Sequence, residues 1–337
     1  MNWDSLDWEV LDRLRETFLS DAKSAGPYWH TITDLECYDF TFAERIGWKW
    51  DAVLRELKSR RWTPPAAATI LDWGCGSGVA GRRVIDCFGP GNFSRLLVHD
   101  HSTLAMDFAQ HRARREFPDF SVDRADCRFL ESGEPLDVLV ISHVLNELDD
   151  VARAQLKALC ARTRTILWAE PGTHEASRLL GDWREQLRSL GLNVVAPCPH
   201  QGICGMLAAG NERHWCHFFA APIPNIYADS DWVKFGQRAG IDLRSLPYSF
   251  LVMDRRLGQM PPTGCSRIIG EPRYYKGYAK LFNCDVDGVS DLMLQKRDAP
   301  ELFKSLKNAH EPGLQKWSHE NGRITRIEVS EEAKNPD

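Results

Sequence analysis

Three cysteines and three histidines crowd one short stretch of this chain. Between Pro197 and Phe219 the sequence reads P-C-P-H-Q-G-I-C-G-M-L-A-A-G-N-E-R-H-W-C-H-F-F. It carries thiols at Cys198, Cys204 and Cys216 and imidazoles at His200, His214 and His217. Neither a helical period nor strand alternation runs through it. A loop that cannot order itself by burying an apolar face needs another organiser, and thiolate with imidazole is the donor set of a bound metal. Three buried thiols without a metal is the bland alternative, and the histidines are poor company for an apolar core.

A second stretch with chemical character is Asp72-Trp73-Gly74-Cys75-Gly76-Ser77-Gly78, which follows directly on an apolar run. Gly74, Gly76 and Gly78 permit a tight turn and let a ligand approach the backbone beside the positive end of the next helix. A dinucleotide loop would read G-x-G-x-x-G, but here the third glycine comes one residue early. Asp72 would also repel a pyrophosphate, whereas an acid suits a cationic group. The D-x-G-x-G-x-G pattern resembles motif I of the Rossmann-like S-adenosylmethionine methyltransferases, which implies that cofactor. Asp100, closing V-H-D, is placed to accept both ribose hydroxyls. Asp126, in A-D-C, falls where that family contacts the adenine amino group, with a surface acid as the competing reading.

Catalytic residues are not assigned by sequence. Ser142-His143-Val144-Leu145-Asn146-Glu147-Leu148 follows the fourth expected strand, at the edge where methyltransferases keep substrate-facing groups. His143 or Glu147 has the chemistry of a base, while Ser142 and Asn146 equally suit capping and bracing. No N-P-P-Y or D-P-P-Y signature and no Pro-Cys nucleophile motif of the cytosine C5 type is present.

The elements that must position these residues are those of an α/β protein: a Rossmann-like S-adenosylmethionine methyltransferase sheet with an N-terminal helical extension, a Cys-rich metal-binding insertion and a β-rich C-terminal part. Leu6, Val10, Leu11, Leu14 and Phe18, then Ile46, Trp50, Val53, Leu54 and Leu57, recur at helical spacing. Pro64-Pro65 ends this extension, in which no chemistry is evident. Alternating apolar runs and helical stretches then predict a parallel sheet with strands near 69–72, 95–100, 120–124, 136–142 and 164–170, and a further strand at 249–254. The metal loop is an insertion between the fifth and sixth of these. We expect a helical extension over 1–65, the cofactor domain over 66–195 and the metal insertion over 196–225. The rest of the sheet with a basic β-rich part spans 226–310, and a tail 311–337. Residues 286–337 read as helix-like and polar, with E-E-A-K-N-P-D frayed at the end.

Composition is that of a globular protein, 43% hydrophobic and 26% charged over 337 residues. A net charge of −5 gives no global signature of a nucleic-acid binder. Locally, Arg255, Arg256, Arg267, Arg273, Lys276 and Lys280 face only Asp254 and Glu271 across 254–280, six bases against two acids. That run is either a phosphate-binding edge or a solvated one. The acidic N-terminus lacks the layout of a signal peptide, and the longest apolar run falls short of the roughly 20 residues that span a bilayer. A cytoplasmic location without a membrane is expected. Ten cysteines then point to metal ligation or buried thiols rather than disulfides. Cys37, Cys75, Cys87, Cys127 and Cys160, in helix or strand patterns, read as small apolar residues.

Several motifs together, L-D-W-G-C-G-S-G, S-H-V-L-N-E-L, A-E-P-G-T from Ala169, C-P-H-x-x-x-C, W-C-H-F from Trp215 and S-R-I-I-G-E-P from Ser266, carry a resemblance. The chain resembles the ribosomal small-subunit methyltransferase-like family, whose members are bacterial proteins and the mitochondrial ribosome-assembly factor known as methyltransferase-like protein seventeen. The resemblance covers most of residues 40–310. It implies an S-adenosylmethionine-binding domain, a four-cysteine [4Fe–4S] cluster and association with the small ribosomal subunit and its 16S-type rRNA during assembly. The family's cluster ligands match Cys198, Cys204, Cys216 and Cys284, the last in F-N-C-D-V-D-G. Cys265 competes for the fourth position, and only the resemblance favours Cys284. Gly205 departs from the proline common in relatives.

Zinc sites favour close C-x₂₋₄-C knuckles, which the loop lacks, whereas iron–sulfur clusters tolerate irregular spacing with a remote ligand. Zinc on the three loop cysteines and one histidine is the rival. Two functions follow: a methyltransferase acting on small-subunit rRNA, or a catalytically silent assembly factor that keeps the cofactor site. Off the ribosome we expect a monomer.

Overall fold

A parallel sheet needs helices over both its faces, and five strands joined by helical crossovers build the first part of the fold. They are β1 (Ala68–Trp73), β2 (Phe93–His99), β3 (Val122–Arg124), β4 (Leu136–Ser142) and β5 (Thr163–Pro171), in the order β3-β2-β1-β4-β5. All four pairings between them are parallel. A computed structural model describes residues 1–19, 28–308 and 313–328. It divides into two units, the first comprising Met1–Glu170 and Ala220–Leu246, the second Pro171–Phe219 and Pro247–Asp337.

The extension folds as α1 (Trp8–Leu19), α2 (Ile32–Phe40) and α3 (Phe42–Ser59), and the crossovers contain α4 (Val79–Phe88), α5 (Thr103–Glu116), α6 (Cys127–Glu131) and α7 (Asp150–Arg162). Leu14, Trp29 and Leu35 pack with Ala105 and Phe108 of α5. Beside them a buried ion pair reaches the glycine loop. Asp39 of α2 accepts from Arg82 at 2.7 Å and Arg112 at 2.9 Å, and Arg82 donates to the carbonyl of Ser77 at 2.6 Å. The extension therefore braces the loop that the sequence singled out.

In the second unit, α8 (His174–Ser189) leads to β6 (Asn193–Ala196), and the cysteine loop runs from there to β7 (Phe218–Phe219). The chain crosses into the first unit for α9 (Ser230–Ala239) and returns as β8 (Pro247–Asp254), with which β6 and β7 pair antiparallel. Beyond it, β9 (Ser266–Tyr274), β10 (Tyr278–Asp285), β11 (Gly288–Gln295), α10 (Pro300–Asn308), β12 (Leu314–Glu320) and β13 (Arg323–Glu328) form a closed barrel with one helix.

Within the stretch 286–337 expected to be helix-like, α10 is a helix, but Gly288–Gln295, Leu314–Glu320 and Arg323–Glu328 are strands, which corrects the reading there. Leu292 and Leu294 of β11, Trp317 of β12 and Ile324 of β13 point into the barrel with Phe303 and Leu306 of α10, while the polar residues between them take the outer face. Two-residue alternation in short strands was masked by many charged neighbours. The terminal E-E-A-K-N-P-D lies outside the described residues.

Candidate functional site

The glycine loop opens at the carboxyl end of β1. Gly74, Gly76 and Gly78 have φ of 71°, 50° and 76°, the left-handed region where a side chain is strained. Their roles differ. A Cβ at Gly74 would sit 2.7 Å from Val144, and one at Gly78 would sit 2.9 Å from Ala109. At Gly76 nothing lies within 4 Å, so that glycine faces open space where a ligand can approach. Asp100 holds the loop from β2, accepting from the Gly76 N–H at 2.9 Å and the Ser102 N–H at 2.9 Å.

Asp72 is fully buried. One of its oxygens accepts from the Gly81 N–H of α4 at 2.9 Å, and the other finds no partner among the described residues. Desolvation pushes its carboxyl up to about 7, against the pull of the Gly81 N–H and Arg82. Asp126 stands apart in role: exposed, it caps α6 by accepting from the Phe129 N–H.

At the end of β4 the structure assembles groups that sequence did not connect. His143 has φ 57°, unusual for a non-glycine residue and a form of local strain found at functional sites. Its Nε2 lies 3.3 Å from Lys49 Nζ, and its Nδ1 lies 3.2 Å from Ser142 Oγ, to which Trp50 Nε1 also donates. Burial pushes Lys49 down to about 7, with Arg45 adding to the effect, and holds His143 well below its usual range. His143 is therefore neutral near neutral pH, and Lys49 loses its proton around it. Glu170, from the A-E-P-G-T motif, receives the N–H groups of Val144 and Leu145 and the Trp168 indole, so it fixes the backbone after His143. Its burial raises its carboxyl to about 7.

Lys49 comes from the extension in which sequence found no chemistry. So do Tyr28 and Tyr38, both raised first by burial and then by Glu147, with Asp100 also acting on each. A lone lysine and two tyrosines in a helical pattern give no signal of a site.

In the second unit the thiols of Cys198, Cys204, Cys216 and Cys284 come within electrostatic reach of one another. Burial, then the charges of Cys198, Cys204 and Cys284, raise Cys216 well above the usual thiol range. Burial, then Cys198 and Cys204, do the same for Cys284. His200 Nε2 lies 3.8 Å from Cys284 Sγ, while His200 Nδ1 is buried with no partner among the described residues. Arg184 of α8, 2% exposed, donates to Cys198 Sγ at 3.2 Å, to the Gly202 carbonyl at 2.9 Å and to the His200 carbonyl at 3.3 Å.

Gly205 packs on the β10–β11 turn, where a Cβ would come 2.7 Å from Gly288 Cα. That contact leaves no room for a side chain at position 205. None of the ten cysteines is in a disulfide. Among the described residues, no group of three or more His, Cys, Asp or Glu side chains is arranged to hold a metal ion.

The basic run divides. Arg256 pairs with Asp254, Arg273 with Asp291, and buried Arg267 lies over the Phe218 ring. Lys276 and Lys280 are exposed. No helix among the described residues is long and apolar enough to cross a membrane.

Residues 41–312 match the profile of the family described as mitochondrial small ribosomal subunit Rsm22. Among solved structures, the chain is similar to magnesium protoporphyrin IX methyltransferase (ChlM) from Synechocystis PCC 6803 with bound SAH. Identity is 12% over 75% of this chain and 97% of that one, with a TM-score of 0.41. A putative RNA methyltransferase PH1948 from Pyrococcus horikoshii is 11% identical over 64% of this chain and 82% of that one, with a TM-score of 0.36. No curated protein matches.

Asp72 yields a pH prediction. A carboxyl raised to about 7 when folded, against about 3.9 when unfolded, contributes stability that is full below the lower value and is lost as pH rises through the upper one. Asp72→Asn should therefore flatten the fall in urea midpoint between pH 5 and 8. An unchanged pH profile would show that Asp72 is already ionised in the folded protein.

Proposed function

From the premise that the chain belongs to the mitochondrial small ribosomal subunit Rsm22 family, we propose that it binds S-adenosylmethionine and an iron–sulfur cluster and acts on the small ribosomal subunit, with its rRNA as methyl acceptor. The observation that carries the cofactor reading is the open face of Gly76, held by Asp100 at the carboxyl edge of a parallel sheet. That edge is where such sheets bind ligands. A cationic ligand would favour the ionised form of Asp72, one of whose oxygens has no partner among the described residues. S-adenosylmethionine supplies an electrophilic methyl group. Lys49, pushed down to about 7, and His143, held below its usual range, lie 3.3 Å apart and supply the means to accept a proton from the group that receives the methyl. Glu170 keeps the backbone after His143 in place while they do so.

For the metal, the donor set supports four thiolates at Cys198, Cys204, Cys216 and Cys284. Cys216 and Cys284, raised first by burial and then by neighbouring thiols, do not ionise unaided, and metal cations offset that cost. Arg184, always charged, favours an anionic cluster at its side. In a [4Fe–4S] cluster all four thiolates would be ligands, with the chain's part being to hold the loop against the barrel. His200 at Cys284 keeps a zinc site with one histidine as the second reading.

Two experiments test these claims. Incubation with labelled S-adenosylmethionine and small-subunit particles from a deletion strain should put label into RNA, and Lys49→Met should lose the label while still binding cofactor. Bound cofactor without transfer would leave a silent assembly factor, and no binding would remove the cofactor reading. Anaerobically purified protein should contain about four irons with acid-labile sulfide, lost in Cys284→Ser but kept in Cys265→Ser. Stoichiometric zinc without sulfide would contradict the cluster.

A further inference from the structure

The C-terminal barrel has a topology with a binding face of its own. Numbered from β9, its five strands run in the order 1-2-3-5-4 and close back on the first. The third and fifth pair in parallel, the first and fourth antiparallel, and a helix lies between the third and fourth. That is the arrangement of the OB-fold, whose ligands lie on the second and third strands between the 1–2 and 4–5 loops. Here that face is the outside of β10 and β11, between the 274–278 loop and the 320–323 turn.

Both loops are tied to β11. Gly277 accepts the Lys296 N–H at 3.0 Å, and Gly322 accepts the Met293 N–H at 2.8 Å. Alternation along β10 buries Ala279 and Leu281 and turns Tyr278 and Lys280 outward. Towards Cys284 the same face is covered, because the His214 ring lies over Phe282 with centroids 4.7 Å apart. The end at the 274–278 loop stays open. There Tyr275 and Tyr278 stack with centroids 4.6 Å apart at 11°, and Tyr275 is 46% exposed. Lys276, Lys280 and Lys296 are exposed around them.

A flat aromatic plate ringed by lysines is the chemistry that stacks a base and meets the flanking phosphates. Uncharged sugars gain nothing from the lysines, and duplex RNA buries its base faces. We propose that this end of the barrel is a binding site for single-stranded RNA, stacking a base on Tyr275 and contacting the backbone through Lys276, Lys280 and Lys296. The choice of RNA rests on the small-subunit reading above, while the site itself is independent of the methyl-transfer chemistry.

The test is fluorescence anisotropy of a labelled ten-nucleotide oligouridylate with the full chain, with cofactor binding measured in the same preparations. Tyr275→Ala should weaken RNA binding roughly 5- to 100-fold and Tyr275→Phe should restore it. Lys280→Gln should lower the slope of log affinity against log salt by about 0.7. Cofactor binding should be unchanged in all three. Full affinity in Tyr275→Ala, or tighter binding of a duplex of the same length, would overturn the site even if cofactor binding and methyl transfer hold.

Discussion

A buried guanidinium governs the second unit. Arg184 cannot shed its proton, so a chain that places it at 2% exposure must surround it with acceptors. It does so with the carboxylate of Glu185 on the same helix, and with Cys198 Sγ and the carbonyls of His200 and Gly202 from the cysteine loop. The loop thus takes its path around a fixed positive charge on α8. The same charge offsets part of the cost of bringing the anionic form of Cys204 close to Cys198. Gly205 then lets the loop touch the barrel backbone at Gly288, near Cys284. Loop, helix and barrel meet at thiols because the arginine makes negative charge there less costly.

The first unit solves the opposite problem. Asp72 and Glu170 are buried acids, and burial pushes both toward neutrality. Backbone N–H groups hold them, so each carboxyl fixes a loop: Asp72 the start of α4, Glu170 the chain after His143. Between those anchored segments lie the one loop glycine with open space and the contact of Lys49 with His143. Polar groups tuned near neutrality at a sheet edge are the usual companions of chemistry.

The parallel sheet was legible because its strands are apolar on both faces and separated by helical stretches. Gly74, Gly76, Gly78 and Asp100 were legible because loop glycines and strand-end acids sit next to strands in the chain. Lys49, Tyr28 and Tyr38 were not. Tyr28 and Tyr38 reach the site through the packing of the extension on α5, and Lys49 through that of α3 on α4, and no local pattern encodes either. Asp126, expected as an adenine contact, also caps α6, a second role that no local pattern distinguished. The barrel escaped because its outer face is rich in Lys, Arg and Asp, which hides a two-residue alternation. The basic run was read as one surface, but ion pairs and the Phe218 ring engage three of its arginines.

The central claim is that a metal centre on four thiols joins the cysteine loop to the barrel. Hydrogen–deuterium exchange on anaerobically isolated protein, before and after removal of its metal, reads this directly. The account predicts that residues 198–219 and 284–289 lose protection together, while the backbone of 68–100 is unchanged. Unaltered exchange in both segments, or loosening of the loop with the 284–289 turn still protected, would contradict it.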